Sequence, residues 1–204
     1  MKPNFKTEKK LFEQGYNLIA GVDEVGRGSL AGPIVAAGII MDPKKPMIRD
    51  VRDSKLLDHK KRVKLREEIY KRALCWGIGD ISHLIIDKYG LTAANKLALK
   101  SAIANLKVQP DYVLIDFVTL TELEIPSESI VKGDAKIYSI ACASIIAKVY
   151  RDELMIAASQ NYPEYKFHSN KGYLTKFHLE AICEHGFCDL HRQSFWPVSA
   201  ILET

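Results

Sequence analysis

Leu18-Ile19-Ala20-Gly21-Val22-Asp23-Glu24-Val25-Gly26-Arg27-Gly28-Ser29-Leu30-Ala31-Gly32-Pro33 is the stretch from which the fold is read. Residues 18–22 form an apolar run of strand length, and residues 34–41, with Val35, Ile39 and Ile40, form a second. Gly26, Gly28, Gly32 and Pro33 between them mark a turn or loop. Two carboxylates, Asp23 and Glu24, follow the first strand. Neighbours on a strand point to opposite faces, so one of the pair faces the buried side unless the chain turns there. A carboxylate at an apolar strand end is costly without a partner.

The same oddity recurs twice. Asp116 directly follows Val113-Leu114-Ile115, and Asp134 ends Val131-Lys132-Gly133-Asp134, just ahead of a long helical pattern. Such distant acids meet only through the fold. Carboxylates converging at strand ends repel one another unless a hard divalent cation compensates. Mg²⁺ or Mn²⁺ suits an all-oxygen site and leaves positions for water and phosphate oxygens. A metal-dependent phosphodiester nuclease needs that arrangement. The competing reading makes Asp23 and Asp134 turn or cap acids and leaves Glu24 solvated.

Gly26-Arg27-Gly28-Ser29-Leu30-Ala31 formally matches the dinucleotide fingerprint G-x-G-x-x-G/A. Its chemistry does not: two acids just ahead of the glycines would repel a pyrophosphate, and Gly32-Pro33 interrupts the helix that should hold it. The alternative is close backbone approach to a nucleic-acid strand, with Arg27 reaching a phosphate or ribose oxygen.

Farther along, Asp58 is placed to cap a helix running to residue 72, and residues 73–81 read as a strand. Residues 91–107 carry Leu99, Ala102, Ile103 and Leu106 at helical spacing. Residues 112–117 read as a strand, 137–158 as a long helix, and 175–184 as a third helix stopped by Gly186. The pattern predicts one α/β or α+β domain with a helical C-terminal extension, the core at about 16–160 and the extension at about 161–204.

Composition sets bounds. The net charge is +4, from 29 Lys and Arg against 25 Asp and Glu. Twelve basic and six acidic side chains fall within residues 42–72, a local surplus suited to a polyanion, although a solvated helix with i,i+3 and i,i+4 pairs is the plain alternative. The longest uncharged stretch, residues 28–41, is too short and too rich in glycine to span a membrane. Residues 1–10 lack a signal-peptide core. Cys75, Cys142, Cys183 and Cys188 are too few for a disulfide scaffold, so a reduced, cytoplasmic protein is expected. His178, Cys183, His185, Cys188 and His191 cluster, but the C-x₄-C spacing is loose for zinc.

Asp23-Glu24-Val25-Gly26-Arg27-Gly28 with Leu30-Ala31-Gly32-Pro33 resembles the signature of type 2 ribonuclease H, ribonuclease HII. Asp53-Ser54-Lys55, Ile115-Asp116, Lys132-Gly133-Asp134-Ala135, the run from Ala143 to Asp152, Lys171-Gly172-Tyr173 and His191-Arg192-Gln193-Ser194-Phe195 agree with that family in order, over roughly residues 16–198. The resemblance implies an α/β ribonuclease H-like fold, a mixed central β-sheet flanked by helices. It implies a catalytic metal site of Asp23, Glu24, Asp116 and Asp134 holding one or two Mg²⁺ or Mn²⁺ ions. It further implies that Gly26, Arg27 and Gly28 sense the 2′-hydroxyl at an RNA–DNA junction, a group that is the local mark of RNA, and that Tyr173 packs on the neighbouring deoxyribose.

The implied reaction is hydrolysis of RNA in RNA/DNA hybrids and incision 5′ to single ribonucleotides in duplex DNA, leaving 3′-hydroxyl and 5′-phosphate ends. The implied setting is ribonucleotide excision repair by a monomer. Lys55, Lys148 and Arg192 are read as available for phosphates. Asp152, in the charged stretch Tyr150-Arg151-Asp152-Glu153, reads as a structural ion-pair partner rather than a fifth ligand. Leu174, where the family often has Gly, and Cys142, where Ala is common, are departures. A non-catalytic hybrid-binding module is the rival of a different class; it would have no need for four separate acids.

Overall fold

In the computed structural model, which describes residues 2–52, 54 and 57–202, the strand carrying the first acids is longer than its apolar core. It spans Ile19–Val25 (β1) and so includes Asp23 and Glu24 rather than ending before them. Pairing persists because β2, Ile34–Met41, sets the small Ala37 and Ala36 opposite the two acids. β3, Ala73–Ile81, the strand expected there, adds antiparallel to β2. β4, Tyr112–Asp116, joins β1 in parallel, and β5, Ser127–Ile130, joins β4 in parallel. The order β3-β2-β1-β4-β5 makes a mixed sheet with β1 at its centre.

Both faces are covered, which is why β2 is apolar throughout rather than alternating. On one face lies α4, Leu91–Ala104, whose Ala98, Leu99 and Ala102 pack with Ala20, Val22, Ala36 and Val113. On the other lie α2, His59–Arg72, and α5, Tyr138–Ala158, with Leu65, Ile69, Ala141 and Ile145 against Val35, Ala37 and Ile39. Asp58 caps α2 as expected, its carboxylate accepting from the Lys61 amide at 2.8 Å. At Gly21, α5 touches the sheet so closely that a Cβ would overlap backbone atoms of Ser139 and Ile140. Only glycine permits that approach.

α1, Lys6–Glu13, and α3, His83–Tyr89, precede or join these layers. Both are short, and their periodicity is too brief to read from sequence, as is that of β5, whose Ser127-Glu128-Ser129-Ile130 shows no apolar run. α4 ends at Ala104 rather than at residue 107, its last turn tightening through a Leu106 amide to Ile103 carbonyl bond at 3.2 Å. The C-terminal segment forms α6, Phe167–Asn170, α7, Lys176–His185, and α8, Val198–Leu202. Thr175 is the cap of α7 rather than its first residue, accepting from the His178 amide. Tyr165, Phe167, Ala181 and Ile182 pack with Leu30, Ala31 and Met155, so this segment closes onto the loop between β1 and β2. Among the described residues, no helix is long and apolar enough to cross a membrane.

Candidate active site

Asp23, Glu24, Asp116 and Asp134 line one pocket of about 650 Å³. β1 brings the first two, the end of β4 brings Asp116, and a 3-10 turn at Gly133–Ala135 ahead of α5 brings Asp134. The strand alternation holds: Asp23 lies on the side of Ser144 from α5, Glu24 on the side of Asn95 from α4. Asp116 Oδ1 accepts the Gly133 amide at 2.6 Å, tying the end of β4 to the turn that carries Asp134.

Burial, then the charges of Glu24, Asp116 and Asp134, holds the Asp23 carboxyl well above the usual carboxylate range. Burial also raises Glu24, with the Arg27 charge opposing. Glu24 Oε1 lies 3.5 Å from the Arg27 guanidinium, while its buried Oε2 has no hydrogen-bond partner among the described residues. The four carboxylates share the pocket without closing round one point. Among the described residues, no group of three or more His, Cys, Asp or Glu side chains stands as a finished cation cage. The donor set still fits a hard divalent ion: all oxygens, largely desolvated, mutually repelling, and one acceptor orphaned.

The glycine loop is held by two arginines. Gly26 has φ +92°, and a side chain there would run into Arg151. Arg192, read from sequence as a phosphate contact, is instead fully buried. Its Nη2 donates to the Gly26 carbonyl at 2.7 Å, Nη1 to Arg27 at 2.9 Å and Nε to Gly32 at 3.1 Å. Arg151, equally buried, donates to the carbonyls of Pro33, Ala31 and Lys171 and to the Ser29 hydroxyl. Burial, reinforced by the Arg151 charge, pushes Arg192 down to about 9. Gly28 stays exposed, with open space where a side chain would be.

Tyr173 belongs to the same scaffold. Ser29 bridges to it, and the Leu30 amide donates to the Gly172 carbonyl at 2.8 Å. Lys148 Nζ lies 5.3 Å from the Tyr173 ring centre and is paired with Asp152 at 2.6 Å. Asp152 also meets Arg62 at 3.4 Å, which makes it the ion-pair partner expected of it. Behind Tyr173, His178 Nδ1 lies 2.9 Å from its carbonyl, so that nitrogen is the donor. His178 Nε2 must then accept from His191 Nε2 at 3.1 Å, and His191 Nδ1 accepts the Cys188 amide at 2.9 Å. The histidines form a neutral relay, not a zinc site.

Other expectations divide. Lys55 and Asp53 lie outside the described residues. Much of the basic surplus is already paired within the fold: Lys61 with Asp50, Arg66 with Glu153, Lys71 and Arg72 with Glu68. The sequence reading missed Phe117, Lys132 and Ser54 as pocket residues, and the Ser54–Ser144 hydroxyl pair at 3.0 Å. The adjacency of Phe117 and Lys132 to Asp116 and Gly133-Asp134 was the available signal.

A mixed sheet of this order, with three acids from two neighbouring strands and a fourth from the turn ahead of α5 in one pocket, has the architecture of the ribonuclease H class. The fold matches the crystal structure of ribonuclease H2 from Pyrococcus horikoshii with a TM-score of 0.78, at 25% identity, over 92% of this chain and 98% of that one. It also matches Bst-RNase HIII, solved in complex with Mn²⁺, with a TM-score of 0.64 at 19% identity over 91% and 69%. Residues 20–198 match the family model for ribonuclease HII. The chain is 49% identical to ribonuclease HII of Caldicellulosiruptor bescii, over 94% of its own length and 92% of that protein's. The chain belongs to the ribonuclease HII family: it is a type 2 ribonuclease H, an endoribonuclease of RNA/DNA hybrids.

Proposed function

We propose that, besides hybrids, this enzyme incises 5′ to single ribonucleotides embedded in duplex DNA, leaving 3′-hydroxyl and 5′-phosphate ends. It does so with Mg²⁺ or Mn²⁺ held by Asp23, Glu24, Asp116 and Asp134. The observation that carries this reading is the meeting of those acids, from three separate chain regions, in one pocket with Arg27, Lys148 and Tyr173. A divalent ion held there supplies Lewis acidity toward the attacking water and the leaving oxygen.

The chain's own groups do the rest. Arg27, half exposed beside Glu24, and Lys148 offer positive charge to the scissile and flanking phosphates. The backbone at Gly26, Arg27 and Gly28 is held rigid enough to read a 2′-hydroxyl, which both donates and accepts. Tyr173, fixed by Gly172 and the histidines, stands where an aromatic ring tolerates a deoxyribose and crowds a ribose. Arg192 supports the loop from behind rather than touching phosphate, and the phosphate role of Lys55 rests on its sequence block Asp53-Ser54-Lys55 alone. The C-terminal segment acts with the core as one unit, a monomer engaged in ribonucleotide repair in the cytoplasm, where its free cysteines stay reduced.

The test is cleavage of a duplex carrying one ribonucleotide, with and without chelator, mapping the nick. A chelator-sensitive nick immediately 5′ to the ribonucleotide is expected. Cutting elsewhere, or chelator-resistant cutting, would refute the reading.

A further inference from the structure

Phe117 follows Asp116 directly and lines the same pocket. It is 60% exposed, it belongs to none of the apolar clusters, and among the described residues no other ring lies against it. Its backbone is also in an expensive place. With φ +57° it sits in the left-handed region, where a bulky side chain is disfavoured and glycine is the ordinary occupant. The conformation is locked: the Phe117 amide donates to Ile130 at 3.1 Å, and the next amide, Val118, turns back to the Asp116 carbonyl at 2.6 Å. Strain of this kind persists at functional sites, where the surroundings over-determine it.

We infer that Phe117, with the 57% exposed Val131 beside it on the pocket wall, is a contact surface for a nucleotide of the bound substrate, its ring stacking on a base or sugar near the cut. Three features of the pocket select nucleic acid as the occupant. Arg27, Lys132 and Lys148 supply positive charge there. The four acids proposed to act at the cut phosphate line the same cavity. An exposed aromatic face stacks on any base without sequence preference. The turn that positions Asp116 thus also presents the ring, joining the catalytic carboxylate to a grip on the strand.

The inference deepens the hybrid-cleaving reading and rests on it. The test compares wild type with Phe117→Gly, Phe117→Leu and Phe117→Tyr on an RNA/DNA hybrid, recording KM and kcat separately together with thermal melting. The Gly variant relieves the backbone and melts higher, while its KM rises about fivefold or more, the lower end of what one base–aromatic stack contributes. The Leu variant, which keeps apolar bulk without the π face, raises KM too, and the Tyr variant retains wild-type KM. A Gly variant with unchanged KM, or one that loses kcat alone, overturns the inference while leaving the enzyme's activity established. A wild-type chain that neither binds nor cuts the hybrid overturns the functional reading and this inference together.

Discussion

Arg192 and Gly26 are bound to each other across most of the chain, the guanidinium Nη2 donating to the glycine carbonyl at 2.7 Å. The same side chain takes the carbonyls of Arg27 and Gly32, and its own amide donates to Leu30 at 2.8 Å. The glycine loop is therefore shaped by a residue from the C-terminal segment. A planar guanidinium spreads its donors over three nitrogens and so reaches three carbonyls set apart from one another, whereas an ammonium presents all of its donors from a single point.

Arg192→Lys is accordingly not conservative here. It leaves buried carbonyls short of donors, at about 1–3 kcal/mol for each group abandoned. Denaturant melts should show a loss of about 3 kcal/mol, and cleavage of the single-ribonucleotide duplex should fall further than cleavage of a long hybrid. A stability change under 0.5 kcal/mol, the range of an ordinary surface substitution, would refute the buried role.

Asp23→Asn should separate stability from activity. Because burial and three neighbouring acids raise the Asp23 carboxyl, its ionised form at neutral pH works against folding. The amide removes that charge, so the variant melts higher while activity drops on the order of a hundredfold or more, the scale of losing one preorganised electrostatic group. Saturating Mn²⁺ or Mg²⁺ should raise the melting temperature of wild type, reversibly with chelator, and do so less for Asp23→Asn. Calorimetry checks both.

Arg27→Ala weakens incision at a single ribonucleotide more than it harms the fold. The Arg27–Glu24 pair is 3.5 Å apart with the arginine side chain 42% exposed, a geometry that contributes about 1 kcal/mol or less. Parallel losses of melting temperature and activity would count against a role in substrate recognition.

The histidine relay gives a pH signature. Burial lowers both imidazoles, His191 down to about 4 with the His178 charge adding to it. The unfolded chain protonates them near 6.5, the folded chain only below that. Between these values the unfolded state binds more protons, so the relay's contribution is complete above about pH 6.5 and is lost as pH falls toward 4, by at most about 1.4 kcal/mol per pH unit for each ring. The raised carboxyls of Asp23 and Glu24 act with the opposite sign, so the informative quantity is a difference. His191→Gln, whose amide can still donate to His178, should lose less stability than wild type between pH 7 and 5. Identical slopes in thermal melts would show that the relay is not the source.

Where local chemistry determined structure, the sequence was legible. The two strands around the glycine loop, the Asp58 cap, the strand at residues 73–81 and the four acids all announce themselves through periodicity, capping chemistry or misplaced charge. What stayed hidden depends on partners without a sequence signature. Arg192 binds backbone carbonyls, which every residue possesses, so its burial could not be distinguished from a phosphate contact. β1 runs on through its acids because alanines face them across the ladder, a matter of register rather than of the strand's own residues. The exposure of Phe117 follows from a turn that no residue pattern announces.

Gly21 extends the active site's vulnerability to a position carrying no functional group. A single methyl added there would jack α5 off the sheet, and that helix bears Ser144 and Lys148 and follows directly from the turn holding Asp134. A survey of inactive variants would therefore score Gly21 alongside the carboxylates, since bare backbone at one crossing lets the helix behind the acidic pocket seat itself on the sheet.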